Sequence, residues 1–269
     1  MPWSLLAILF AVCAAFCAVG FYKFVYFLSI GYGSAVAGGG IAVLVMALIT
    51  GTDAPIWVLI IQSALFLAYG TRLAGFLLIR EIKNASYRKT LKEATGNDKK
   101  MPFFSIVIMW LMAAALYTAQ VSPMLFRMAN DIEGIILPII GFVISALGIV
   151  LEAVADNQKS AQKKERPDMV ATKGLYKMCR CPNYLGEVVF WTGVFVSGIN
   201  SYKTFGQWLM AGVAYVCIVY VMFNGAQRLE KRQMARYGSI EEYNEYANKT
   251  PIIIPFIPLY HLNKSSKTD

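Results

Sequence analysis

Charged residues are scarce in this chain. They make up 15% of its 269 residues, against roughly 25% in soluble domains, while 57% of the chain is hydrophobic. That balance argues against a water-soluble domain and for a membrane protein. Histidine is almost missing, and the single one, His261, lies in the terminal tail, so the apolar part of the chain has no imidazole to act as a proton donor. The five cysteines, at positions 13, 17, 179, 181 and 217, form no C-x-x-C pair. Cys179 and Cys181 have no histidine or second cysteine pair beside them, which argues against both a zinc site and a disulfide framework. No basic segment precedes the apolar run that starts at Trp3, so the N-terminus reads as a first membrane helix and not as a cleaved signal. A dinucleotide-binding fingerprint is lacking too. Gly38, Gly39 and Gly40 follow Gly33 and Ala37 in an apolar segment with no strand before it, where small residues mark close helix packing. Any nucleotide must be held by another device.

The apolar runs are numerous. A helix crossing about 30 Å of hydrocarbon needs about 20 mainly apolar residues, and candidate segments fall at 3–22, 33–50, 55–80, 102–121, 134–153, 186–199 and 205–225. The expected fold is therefore an all-α, multi-pass membrane helix bundle of about seven spans. The sixth span is short. Lys and Arg concentrate in 80–101, 154–180 and 226–269, after spans three, five and seven. Lys23 shares their side, whereas Arg127 and Lys203 fall on the other. Because short cytoplasmic loops carry the excess of basic residues, the N-terminus is expected outside and the C-terminus in the cytosol. The net charge of +9 is thus gathered on one face, where anionic lipid headgroups account for scattered lysines and a polyanionic ligand is the alternative.

Polar residues in apolar surroundings mark where chemistry is expected. Gln62, Tyr69, Arg72 and Arg80 follow one another by seven, three and eight positions, so at about 100° per residue three of the four share one narrow helix face. An arginine inside a span is costly and normally faces a bundle interior or a cavity. Glu152, Asp156, Lys159 and Lys163 share a face where span five leaves the membrane. They read either as a solvated ion-pair ladder or as groups that Pro167 and Gly174 return to a membrane entrance. The stretch "RCPNYLGE" then packs Arg180, Asn183, Tyr184, Gly186 and Glu187 into the edge of a short apolar run. An Arg able to grip phosphate bidentately, beside Asn, Tyr and Glu, makes an anionic nucleotide one natural occupant; a polar cavity lining is the other.

The order K-G-L-Y-x-x-x-R-x-P-N-Y-x-G-E, here Gly174, Leu175, Tyr176, Arg180, Pro182, Asn183, Tyr184, Gly186 and Glu187, resembles the C-terminal signature of the steroid 5-alpha-reductase family. That family includes bacterial relatives carrying the domain of unknown function 1295 and is related to the sterol reductases. "ADNQK", with Asp156, Gln158 and Lys159, is similar to a further family stretch, as are Tyr69, Arg72 and Arg80 in span three and the tail through Tyr243, Tyr246 and Ile254-Pro255-Phe256. Two departures stand out. The family's histidine after Arg180 is Cys181, and the substrate-side Gln-Glu pair of the second span is absent, since 33–50 contains neither residue; Gln62 is a possible substitute.

The resemblance implies a single membrane reductase domain over 1–269, with spans one to three and a basic loop in 1–101 and a cofactor-binding part in 102–269. It implies NADPH held by Arg80, Asp156, Lys159, Arg180, Asn183, Tyr184, Glu187 and Tyr246, and hydride transfer to a carbon-carbon double bond of a lipophilic enone or steroid-like substrate drawn from the bilayer. Tyr69 would donate to the substrate carbonyl, oriented by Arg72 or Gln62. Expected partners are that substrate and membrane lipids, with no nucleic acid and no metal. The expected setting is a bacterial cytoplasmic membrane or an endoplasmic reticulum. The R-x-P-x-Y-x-G core is shared with isoprenylcysteine and phospholipid methyltransferases, so a SAM-dependent enzyme is the first alternative. A cofactor-binding membrane protein without catalysis is the second.

Overall fold

A computed structural model describes residues 1–83 and 102–263, with the side chain of Arg80 also outside the described set. Every regular element among the described residues is helical. The main helices are α1 (Trp3–Cys17), α2 (Ile30–Thr50), α3 (Ile56–Lys83), α4 (Phe103–Ala129), α5 (Ile136–Glu165), α6 (Pro182–Gly198), α7 (Phe205–Tyr237) and α8 (Glu241–Lys249). Among the described residues, six stretches are long and apolar enough to cross a bilayer: α1 with its continuation to Phe21, then α2, α3, α4, α5 and α7. The short sixth span of the sequence reading is α6, at 17 residues, and it carries the Arg180 signature at its head. This is an all-α, multi-pass membrane architecture.

The chain divides into two compact units. One comprises Met1–Phe142 and Val194–Ala214, the other Val143–Gly193 and Tyr215–Asp269.

In the first unit, small residues set the helix spacing. A β-carbon on Gly70 would lie 2.1 Å from the Gly33 carbonyl oxygen and 2.9 Å from the Ala37 β-carbon, so α2 and α3 touch backbone to backbone. The glycine triplet serves three neighbours. A β-carbon on Gly38 would enter the Phe16 ring, one on Gly39 would meet Leu9 and Val121, and one on Gly40 would meet Phe66. The triplet is therefore a packing device, as its apolar setting predicts. Near the opposite end of α3, the Tyr26 hydroxyl donates to Glu81 Oε2 at 2.7 Å and Lys23 donates to Oε1, which ties the α1–α2 connection to that helix.

One cation sits differently from its sequence reading. Arg127, assigned by charge pattern to an exterior loop, lies inside α4, which continues two turns beyond the expected 121, and is only 3% exposed. Its guanidinium donates to the carbonyls of Ile132, Gly134 and Ser197 and to Asn200 Oδ1. Four acceptors compensate the buried charge and keep the helix going.

In the second unit, the loop between α5 and α6 is pinned by two glutamines one helical turn apart. Gln158 Oε1 accepts from the Leu175 amide at 2.8 Å, and Gln162 Oε1 accepts from the amides of Thr172 and Lys173 at 2.9 Å each. Gly174 bends over them with φ +66°, and a β-carbon there would lie 2.4 Å from Gln158. Both the left-handed backbone and the lack of space require glycine. The loop thus delivers residues 176–181 to a fixed place.

Candidate functional site

The signature residues of α6 are placed by its contact with α5. A β-carbon on Gly186 would fall 2.5 Å from Glu152 Cγ and 2.9 Å from the Gly148 carbonyl oxygen, so the two helices cross at Gly148 and Gly186. This close approach buries Glu187, whose Oε1 accepts from Trp191 Nε1 at 3.2 Å one turn on. Tyr184 turns the other way, its ring lying against Gly225 of α7, where a β-carbon would be 3.4 Å distant. Asn183 is half-buried at the head of the helix.

Arg180 is the centre of the arrangement, at 4% exposure. Its backbone N–H donates to the Pro251 carbonyl at 2.8 Å and that of Cys181 donates to the Ile252 carbonyl at 2.9 Å, so the tail runs alongside the signature. Nη2 donates to Glu230 Oε1 at 2.9 Å and to the Tyr260 carbonyl. Nε and Nη1 are buried and have no hydrogen-bond partner among the described residues. Two unmet donors on a buried guanidinium cost about 1–3 kcal/mol each if nothing accepts them, and the acceptor that suits both is an anionic oxygen. The Tyr243 hydroxyl is buried too and makes no bond of ordinary geometry among the described residues, yet lies close enough to Arg180 for the guanidinium to act on it.

Glu230 organises the far side of Arg180. Besides Nη2, its carboxylate accepts from His261 Nδ1 at 2.9 Å, the amides of Leu262 and Asn263 at 2.9 and 3.0 Å, and Asn263 Nδ2 at 2.8 Å. His261 Nε2 is 2.9 Å from Asn248 Oδ1. The histidine of the tail therefore reaches the Arg180 site through a shared carboxylate. Neither Glu230 nor His261 stands out in the sequence, because "QRLEKR" reads as a solvated helix end and the tail has no periodic pattern.

The remaining expected cofactor residues of this unit fall around the same corner. Tyr246 donates its hydroxyl to the Tyr176 carbonyl at 2.6 Å, and burial pushes both phenols well above the ordinary tyrosine range, so they stay protonated donors. Asp156 and Lys159 are half-buried on α5; Asp156 acts electrostatically on Tyr176 and Lys159 on Cys181.

Cys181, where the sequence departs from the signature it resembles, is a core residue here. It packs with Ala226, Ile252 and Ile253, and burial pushes its thiol up to about 12 and that of Cys179 to about 11. A raised pKa keeps the reactive thiolate scarce below that range. Maleimide at pH 7 to 8 is therefore expected to spare both cysteines in the folded protein and to modify them after denaturation, as read by intact mass.

In the first unit, Tyr69 is fully buried, edge-on to Tyr32 at 5.9 Å, while Tyr32 stacks on Tyr117 at 4.8 Å. The Tyr117 hydroxyl donates to the Phe27 carbonyl at 2.7 Å. Gln62, two turns along α3, accepts from the Ser197 hydroxyl at 3.1 Å, and its Nε2 has no partner among the described residues. It lines a small cavity with Arg127, Pro123 and Phe142 that has room for about one water. Arg72 is half-buried, and the Arg80 side chain lies outside the described residues.

The family model described as a protein of unknown function (DUF1295) matches residues 33–250. The chain belongs to the DUF1295 family. No curated protein and no solved structure matches it. The DUF1295 match takes in Tyr69, the Arg180 signature, Glu230, Tyr243 and Tyr246, and it stops at Thr250. The tail that completes the Arg180 environment in this DUF1295 protein, from Pro251 to Asn263, lies beyond it.

Proposed function

We propose that the chain is an NADPH-dependent membrane reductase that saturates a carbon-carbon double bond of a lipophilic enone or steroid-like substrate. The observation that carries this reading is Arg180, a buried guanidinium with two donors unmet among the described residues, which fits a phosphate of the cofactor. The residues that would hold NADPH are Arg180, Asn183, Tyr184 and Glu187 at the head of α6, with Asp156 and Lys159 on α5 and Tyr246 on α8; Arg80 belongs to the same assignment. When bound, NADPH supplies the hydride.

The chain's own part is positioning and proton donation. Tyr69 is assigned to donate its hydroxyl to the substrate carbonyl, where negative charge develops; one good donor in a dry site lowers such a barrier by about 3 kcal/mol. Its complete burial among aromatic rings keeps water from competing for that bond. Arg72 or Gln62, on the same helix, is assigned to orient Tyr69.

The test is thermal denaturation of the detergent-solubilised protein with NADPH or SAM. A ligand at about a hundred times its Kd contributes about 2.7 kcal/mol to stability, so NADPH is expected to raise the melting temperature clearly and SAM to leave it unchanged. The shift is expected to vanish in Arg180→Met. Stabilisation by SAM alone would replace the reductase reading with that of a membrane methyltransferase.

A further inference from the structure

Phe256 is 93% exposed and carries a φ of +67°, a left-handed conformation that a β-carbon disfavours. A bulky apolar side chain is thus held out from the protein by a strained backbone. The loop that holds it is closed and anchored. Ile252 and Ile253 are fully buried against Cys181 and Ala226, the Ile252 amide donates to the Leu259 carbonyl at 2.9 Å, and the Leu259 amide donates to the Ile257 carbonyl at 2.7 Å. Pro255 and Pro258 fix their own φ on either side of the tip. The exposed residues are Phe256, Ile257 and Pro258.

The height of this tip can be read from α7. Its outward stripe is apolar at Leu209, Val213 and Val216 and ends in the exposed Tyr220. One turn on it becomes Asn224, then the exposed Arg228 and Lys231. A tyrosine followed by polar and basic residues on one face marks the edge of the hydrocarbon. The feet of the loop pack on Phe223, Ala226 and Leu229, the stretch of helix just past that edge. From Tyr220 to Ala226 the helix rises about 9 Å, slightly more than the roughly 5–8 Å headgroup layer of one leaflet.

We infer that the Pro255–Pro258 turn inserts Phe256 and Ile257 into the headgroup region of the bilayer that the helices cross, at the level where Arg228 and Lys231 meet anionic lipid. The occupant is lipid, because the feet of the turn stand beside the interface level of a membrane-spanning helix whose basic residues complement phosphate headgroups. The tail that lines Arg180 is then fixed at two ends, by Glu230 inside the protein and by the bilayer outside. This inference does not depend on the reductase reading.

The experiment places the photoreactive analogue p-benzoylphenylalanine at position 256 of the full chain, reconstituted in nanodiscs of phosphatidylcholine and phosphatidylglycerol. Photolysis and intact-mass measurement then identify what is captured. Lipid adducts are expected at 256, several-fold above those from the same analogue at Lys249, an exposed polar position of the same tail. Lipid capture at 256 no greater than at 249, or adducts joining two copies of the chain in place of lipid, would overturn the inference. A melting temperature equal to that of the unmodified protein shows that the labelled chain is folded.

Discussion

Glu230→Ala is expected to destabilise the protein by about 3–5 kcal/mol, the range for removing one partner of a buried ion pair. The side chain is 3% exposed and receives five donors, so its loss strands Arg180 Nη2 with the Tyr260 carbonyl alone and frees Leu262 and Asn263. Thermal unfolding in detergent measures the stability change, and limited proteolysis reads release of the tail after Thr250. A second variant separates structure from ligand binding. The pair Arg180→Met with Glu230→Leu removes both charges and is expected to recover much of the lost stability, since buried pairs replaced by apolar residues of similar volume are often neutral. It should nonetheless fail to bind NADPH. Recovery of NADPH binding in that double variant would show that Arg180 is a purely structural cation.

Tyr69→Phe is expected to lower turnover of a confirmed substrate by about a hundredfold or more, as removal of one donor from an oxyanion site does, and to leave the NADPH-induced melting shift intact. Phenylalanine keeps the edge-on contact with Tyr32, so the hydroxyl is the only thing removed. The split between lost turnover and retained cofactor binding distinguishes a donor from a packing residue. Unchanged turnover would remove Tyr69 from the chemistry and leave its place in the aromatic stack as its whole role.

Much of the architecture was legible because membrane spans are written in composition. The runs at 33–50, 55–80 and 205–225 anticipate α2, α3 and α7, and the glycine triplet reads as packing since no strand precedes it. The helices overrun their apolar stretches to Ala129, Glu165 and Tyr237, into polar residues where hydropathy no longer reports the helix. Arg127 shows the mechanism, its four acceptors coming from segments as distant as Ser197 and Asn200. Within the site, Gly174 and Gly186 were legible as turn and close approach.

Glu230 was not legible, because a carboxylate between Arg228, Lys231 and Arg232 looks like part of an exposed mixed-charge surface. Only the return of the tail turns that position inward. His261 illustrates the same limit. Thirty-one residues separate it from Glu230, and no periodicity in the tail announces the meeting.

The alignment of Pro251 and Ile252 with Arg180 and Cys181 has a consequence for how the molecule comes into being. Translation delivers Arg180 to the membrane well before it delivers the Pro251 and Tyr260 carbonyls that receive its backbone and side-chain hydrogens. Until those carbonyls arrive, neither hydrogen bond can form. Packing of that corner is therefore among the last events of biogenesis, and its timing is set by the order of the chain.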